Sequence, residues 1–95
     1  MNQSIINKLR ELKPILNEEY GLEEFAVFGS QAREDYDKNS DVDIAIIKID
    51  KKEFANRLLI KEFLEKHLNK RVDIGYFDSM KTFVQNQIKQ EMKYV

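Results

Sequence analysis

The sequence contains no cysteine, and it has one proline and three glycines among its 95 residues. The lack of cysteine excludes a disulfide framework and thiolate chemistry. Few proline and glycine residues, with an apolar fraction of 42% and a charged fraction of 35%, argue against disorder and favour a globular, helix-rich chain. We therefore expect a folded, soluble protein.

A basic excess and a long apolar run are also missing. The chain has 16 lysines and arginines against 17 aspartates and glutamates, a net charge of -1. This balance disfavours binding of long nucleic acid, which needs many phosphate contacts. No stretch is long and apolar enough for a signal peptide or a membrane span, so no membrane association and a cytoplasmic location are expected.

The length predicts one domain covering residues 1–95, with a core but without room for a large enclosed pocket. A function that requires such a pocket would need a partner protein. No internal repeat, linker or low-complexity segment is present.

Hydrophobic periodicity predicts an α/β (α+β) fold with the order α-β-α-β-α-β-α, in which helices pack on a small mixed sheet of about three strands. A helix is expected over 4–20, capped by Asn2 or Ser4 and stopped at Gly21, with a kink or break near Pro14. Strands are expected over 23–28, 41–49 and 71–77, and one or two helical turns over 31–35.

Two further helices are predicted. Asp50 and Glu53 resemble a capping box at the start of a core-facing helix that ends near Asn69. Its core positions would be Phe54, Leu58, Phe63, Leu64 and Leu68. Asp78 or Ser79 would cap the last helix, whose packing stripe would be Met80, Val84, Ile88 and Met92, with Phe83 beside it.

Three aspartates on the predicted strands carry the strongest chemical signal. Asp41 and Asp43 are two residues apart and therefore project from the same face of one strand. Asp73 lies between Val72 and Ile74 on the next strand, so neighbouring strands would bring three carboxylates together. Adjacent carboxylates repel each other unless cations compensate them, and Mg²⁺ selects such hard oxygen ligands. The alternative is an ordinary solvated strand face.

The Gly29-Ser30 turn after the first strand suggests a phosphate site. Gly29 permits close approach of the backbone to a phosphate, and Ser30 would open a helix whose free N–H groups attract anions. The alternative is that Ser30 serves only as a helix cap.

The combined spacing resembles the DNA polymerase β-like nucleotidyltransferase superfamily, most closely its minimal nucleotidyltransferase (MNT) domains. The motifs that carry the resemblance are G-S-x-A-R at 29–33, S-D-x-D at 40–43 and V-D-I at 72–74. MNT domains are small antitoxin-type proteins that pair with a HEPN-domain partner.

The resemblance implies roles for the three acids. Asp41 and Asp43 would ligate two Mg²⁺ ions, and Asp73 would bind the ion on the acceptor side. Asp73 would also activate the attacking hydroxyl, either as a base or by positioning it.

The resemblance also implies that Gly29 and Ser30 hold the nucleotide triphosphate. Arg33 would either contact phosphate or form an ion pair with Glu34 or Asp35. Ser40 would either hydrogen-bond near the phosphates or cap the turn. Glu34 departs from the family pattern, which has glycine there, and a carboxylate pointing inward would repel the substrate.

The implied activity is Mg²⁺-dependent transfer of a nucleoside monophosphate, AMP from ATP, to a hydroxyl group. By resemblance the acceptor is a tyrosine of a HEPN toxin, and the protein acts as an antitoxin. Two alternatives are an antitoxin that works by occlusion and a small-molecule enzyme similar to the aminoglycoside-modifying members. The latter carry an added helical domain that this sequence lacks.

Overall fold

The computed structural model describes residues 2–33, 35–50 and 52–95. Its helices are α1 (Gln3–Tyr20), α2 (Phe54–Leu68) and α3 (Thr82–Glu91). Its strands are β1 (Leu22–Phe28), β2 (Val42–Ile49), β3 (Val72–Tyr76) and β4 (Lys93–Tyr94). Short 3₁₀ turns cover Gly29–Gln31 and Phe77–Ser79. In these described parts of the chain, no helix combines the length and apolarity that crossing a bilayer requires.

The strands form one mixed sheet in the order β3-β2-β1-β4. Strands β1 and β2 pair antiparallel, whereas β2 and β3 are parallel and are joined through α2. The predicted α/β class is confirmed. The fourth strand was not predicted because β4 has only two residues, which pair with Ala26 and Val27 of β1.

Helix α1 begins and ends as predicted, with Asn2 accepting a hydrogen bond from the Ile5 backbone N–H and Gly21 in a left-handed conformation. Of the two expected outcomes near Pro14, a kink or a break, the break is wrong, because the helix continues through this residue. Its buried side chains lie on both sides of Pro14, so their packing outweighs the lost hydrogen bond. They are Ile5, Ile6, Leu9, Leu12 and Leu16.

Helix α2 begins at a different residue from the one predicted, and its predicted core face is confirmed at Leu64 and Leu68. Glu53 precedes its first turn without a side-chain capping bond, and the backbone N–H of Asp50 instead bonds to the Gly21 carbonyl. Phe54 and Leu58 are 67% and 43% exposed, so their assignment to the core is wrong. The buried positions are Asn56, Ile60, Leu64 and Leu68. Asn69 ends the helix as expected, in a left-handed conformation.

Helix α3 is shorter than predicted and only Ile88 within it is buried. The predicted caps Asp78 and Ser79 lie in the preceding 3₁₀ turn, and Lys81 occupies the cap position. Phe83 is 68% exposed, which leaves an aromatic ring on the surface. The segment that follows α3 returns along β1 and forms β4.

Candidate active site

The turn after β1 is built around Gly29. Its φ of +73° lies in the left-handed region, which glycine adopts without steric cost. The Gly29 carbonyl accepts hydrogen bonds from the backbone N–H groups of Ala32 and Arg33 at 3.0 and 3.1 Å. The turn is therefore a three-residue 3₁₀ segment and not the helix that was predicted, so the argument from a helix dipole does not apply.

Gly29 also lies directly against the carboxylate of Asp43. A β-carbon at position 29 would overlap Asp43 Oδ2 and would lie 3.2 Å from Asp43 Cγ. Two requirements for glycine, a left-handed backbone and the absence of a side chain, therefore coincide at this residue. The structure therefore brings the turn together with Asp43 of the predicted aspartate pair.

Strand register aligns the acids. Asp43 of β2 lies opposite Asp73 of the parallel strand β3 and opposite Phe28 of the antiparallel strand β1. Residues paired across neighbouring strands point to the same face of a sheet, so these three side chains form one row. Asp41 immediately precedes β2, two residues before Asp43.

Electrostatic repulsion is concentrated on Asp43. Burial of the carboxylate, followed by the charges of Asp73 and Asp41, raises the pKa of Asp43 to about 6. The positive charge of Arg33 opposes this shift, and Glu91 adds to it. A cation placed between these acids would relieve the repulsion and would restore the ionised form of Asp43.

The donor set fits a magnesium ion that binds together with its substrate. Within residues 2–33, 35–50 and 52–95, no cluster of three or more acidic or histidine side chains has the geometry of a preassembled metal site. Mg²⁺ usually takes one or two carboxylates and completes its coordination with substrate phosphates and water. Asp43 and the acids that face it supply that number of oxygen ligands.

The two serines have different surroundings. Ser30 lies in the 3₁₀ turn beside Asp43 and is partly exposed, as a phosphate ligand must be. Ser40 closes the loop before β2: its hydroxyl accepts a 2.9 Å hydrogen bond from the Asp37 backbone N–H. Of the two roles left open for Ser40, the structure shows the turn-capping one.

Arg33 is held by two carboxylates. Its guanidinium donates hydrogen bonds to Asp35 at 3.1 Å and to Glu91, at the end of α3, at 2.5 Å. These contacts raise the pKa of Arg33 and lower the pKa of Asp35. The predicted ion pair with Asp35 is present, whereas Glu34 lies outside the described residues. Sequence reasoning missed Glu91, because 58 residues separate it from Arg33.

Gln31 is a second residue that sequence reasoning missed. It is fully buried, and its side-chain amide nitrogen donates to the Ser40 carbonyl at 3.1 Å. Its side-chain oxygen accepts from the Asn2 side chain at 2.8 Å, and its backbone carbonyl accepts from the Asn2 N–H at 2.8 Å. The sequence signal that could have indicated this role was the glutamine at the variable position of the G-S-x-A-R motif.

A mixed sheet that sets a glycine turn against a row of strand carboxylates is the architecture of a nucleotide-handling transferase. The family comparison agrees, since a model described as "Nucleotidyltransferase domain" matches residues 9–95. The chain belongs to this nucleotidyltransferase family and is of the minimal type.

Individual relatives support the same assignment. The protein adenylyltransferase MntA of Thermococcus cleftensis is 32% identical over 87% of this chain and 84% of its own length. A solved structure provisionally described as a minimal nucleotidyltransferase superposes with a TM-score of 0.75 at 26% identity, covering 98% of this chain and 95% of that one.

A further solved structure, a toxin–antitoxin with AMP-PNP, has a TM-score of 0.69 and 27% identity to this chain. The match covers 98% of this chain and 70% of that chain.

Proposed function

We propose that the protein transfers AMP from ATP, with Mg²⁺, to a tyrosine hydroxyl of a HEPN-domain partner and thereby acts as its antitoxin. The observation that carries this proposal is the position of Asp43. Its carboxylate abuts the glycine turn on one side and faces the acids Asp73 and Asp41 on the other. A triphosphate and an acceptor hydroxyl can meet there.

In the proposed reaction, the acceptor oxygen attacks the α-phosphorus of ATP. The bond from that phosphorus to the bridging oxygen breaks, and pyrophosphate leaves. The hydroxyl proton passes to Asp73 or to solvent, while Asp73 orients the attacking oxygen. Asp41, Asp43 and Asp73 would hold two Mg²⁺ ions, which when bound neutralise charge on the phosphates. Gly29 and Ser30 would receive the leaving phosphates.

Two comparisons support ATP and a protein acceptor. The Thermococcus relative is named a protein adenylyltransferase, and one similar structure is a toxin–antitoxin with AMP-PNP. The groove that touches the acid row at Asp73 has a volume of about 280 Å³ and is open to solvent. A groove of this size leaves much of the acceptor surface to be supplied by a partner.

A labelling experiment tests the proposal. The protein is incubated with Mg²⁺, a HEPN-domain protein encoded beside it, and ATP labelled at either the α or the γ phosphate. We expect α-label on the partner, no γ-label, and loss of labelling in the Asp43→Asn variant. Asp50→Asn is the control, because Asp50 is an exposed acid at the opposite end of β2. Absence of α-label with wild type, or equal labelling by Asp43→Asn, would contradict the proposal.

One observation favours neutralisation by occlusion as a second candidate. Arg33, a predicted phosphate contact, is already bound by Asp35 and Glu91. A protein that only covers its partner would neutralise it as well after Asp41→Asn and Asp43→Asn are combined. Loss of neutralisation by this double variant, with the complex still formed, would exclude occlusion.

A further inference from the structure

A groove lies beside Asp73 of β3, the edge strand of the sheet. The residues that line this β3-edge groove include Phe28, Arg57, Leu58, Lys61, Asp73 and Met80. It extends from Asp73 to the exposed face of α2, where the sequence had assigned Leu58 to the core. The groove is therefore continuous with the candidate active site and is open to solvent.

We propose that the β3-edge groove binds the acceptor-bearing segment of a protein partner, and that Arg57 and Lys61 pair with acidic residues flanking the acceptor hydroxyl. This inference rests on the proposed nucleotidyl transfer and specifies its protein substrate.

The direction of the reaction places the acceptor at this edge. In an in-line displacement the attacking and leaving oxygens lie on opposite sides of the phosphorus. The glycine turn follows β1, on one side of Asp43, and Asp73 belongs to β3, on the other side. If the pyrophosphate leaves toward Gly29, the acceptor enters past Asp73, where the groove lies.

The charge of the groove specifies its occupant. Arg57 and Lys61 both line it, and neither forms an ion pair with any of the residues that the structure describes. The Arg57 guanidinium is held in place, with Phe54 and Tyr76 rings 5.3 and 5.7 Å away and a 3.5 Å hydrogen bond to the Ile74 carbonyl. Such a fixed guanidinium is well suited to receive a carboxylate.

The size and lining of the groove favour a peptide segment over a small molecule. A volume of about 280 Å³ lies below the usual range for sites that enclose a whole ligand. Phe28, Leu58 and Met80 provide apolar contacts for one or two side chains. Two unpaired cations would repel an aminoglycoside, which is itself cationic, so the groove argues against that substrate class.

Peptide binding tests the groove without requiring catalysis. Two fluorescent peptides carry one central tyrosine flanked on both sides by glutamates or by lysines, and fluorescence anisotropy measures their Kd at low salt. We expect wild type to bind the acidic peptide at least about tenfold more tightly than the basic one. The combined Arg57→Glu and Lys61→Glu substitutions should abolish or invert this preference.

The matched control combines Arg10→Glu and Lys66→Glu, which makes the same charge change at two exposed positions outside the groove. This control should retain the preference for the acidic peptide. The combined Arg57→Gln and Lys61→Gln variant adds no negative charge and should also lose the preference. It provides the test if the charge-reversed protein fails to fold. Equal binding of both peptides, no binding of either at millimolar concentration, or an unchanged preference in both groove variants would overturn the proposal.

Binding of ATP with Mg²⁺, measured on the same preparations, separates the two proposals. It should be retained in wild type and in the groove variants, because the groove lies on the acceptor side. Wild type that binds ATP and labels its partner, yet shows no peptide preference, would overturn the groove and leave nucleotidyl transfer standing. A preference for the acidic peptide in a wild-type protein that does not bind ATP would overturn nucleotidyl transfer and leave peptide binding by the groove standing.

Discussion

The side-chain amide of Gln31 donates a 3.1 Å hydrogen bond to the backbone carbonyl of Ser40. Gln31 belongs to the turn that follows β1, and Ser40 belongs to the loop that leads into β2. This bond therefore links the turn after β1 to the segment that leads into the strand carrying Asp43. Because Gln31 is fully buried, no water replaces the bond when the side chain is changed.

Substitution Gln31→Leu should destabilise the protein and impair nucleotide binding together. It leaves the Ser40 carbonyl and the Asn2 side chain without their partner, which costs about 2 kcal/mol of unfolding free energy. We also expect KM for ATP to rise by about tenfold, with a smaller change in kcat, because the turn is displaced but the acids remain. Urea unfolding and steady-state kinetics measure the two effects.

Gln87→Leu provides the control for Gln31→Leu, since Gln87 is an exposed glutamine of α3. It should leave both stability and KM unchanged. If Gln31→Leu lowered stability yet left KM for ATP at the wild-type value, Gln31 would have a structural role only.

Gly29→Ala should abolish activity, whereas Gly21→Ala should not. Both glycines have positive φ, +73° and +69°, so both substitutions impose a similar backbone strain of about 1 kcal/mol. Only at position 29 would the new methyl group overlap the Asp43 carboxylate. The transfer activities of the two variants are compared under conditions in which their stabilities are equal. This comparison separates the effect of backbone strain from the effect of displacing Asp43. Comparable activities of the two variants would show that contact with Asp43 is unimportant.

The parts of the fold that depend on local pattern were predictable from the sequence. Alternation of β-branched residues located β2, and Gly21 and Asn69 marked the ends of α1 and α2. The core face of α2 was predicted correctly at Leu64 and Leu68 but wrongly at Phe54 and Leu58, which have the spacing of a core stripe yet are exposed. A hydrophobic pattern indicates which side chains favour burial, but it does not show which of them another element of the fold covers.

Contacts between distant segments limited what could be predicted at the site. Gly29 and Asp43 were placed together by their motifs, and the parallel pairing of β2 with β3 aligned Asp73 with Asp43. Nothing near Arg33 in the sequence signals that Glu91, at the end of α3, reaches its guanidinium. The strand β4, which follows α3 and pairs with β1, has only two residues and therefore too little pattern to detect.

Asp43→Asn should stabilise the protein in the absence of metal while removing its activity. The folded protein raises the pKa of Asp43 to about 6, against about 4 in the unfolded chain. The stability that comes from protonated Asp43 is fully present below about pH 4 and is lost as pH rises through 6. After discounting for solvent screening of a half-exposed carboxylate, the gain for the variant at pH 7 is about 1 kcal/mol.

Chemical unfolding of wild type and Asp43→Asn in EDTA, at pH 4.5 and at pH 7, measures this difference. The two proteins should be nearly equal in stability at the lower pH and diverge at the higher one. Asp50→Asn, at an exposed position, should show no such divergence. A wild-type protein as stable as the variant at pH 7 would mean that the acids around Asp43 do not repel each other in solution.

Glu91→Gln should strengthen ATP binding, because Glu91 both holds Arg33 and adds negative charge near Asp43. Removing the charge frees the guanidinium to turn toward a triphosphate and lowers repulsion of that anion. We expect KM for ATP to fall by about threefold to tenfold, with the gain absent when Arg33→Gln is also present. Glu24→Gln, at an exposed position of β1, is the control for total charge. An equal gain in the presence and absence of Arg33 would assign the effect to repulsion alone. A rise in KM would instead show that Glu91 holds Arg33 in the orientation that nucleotide binding requires.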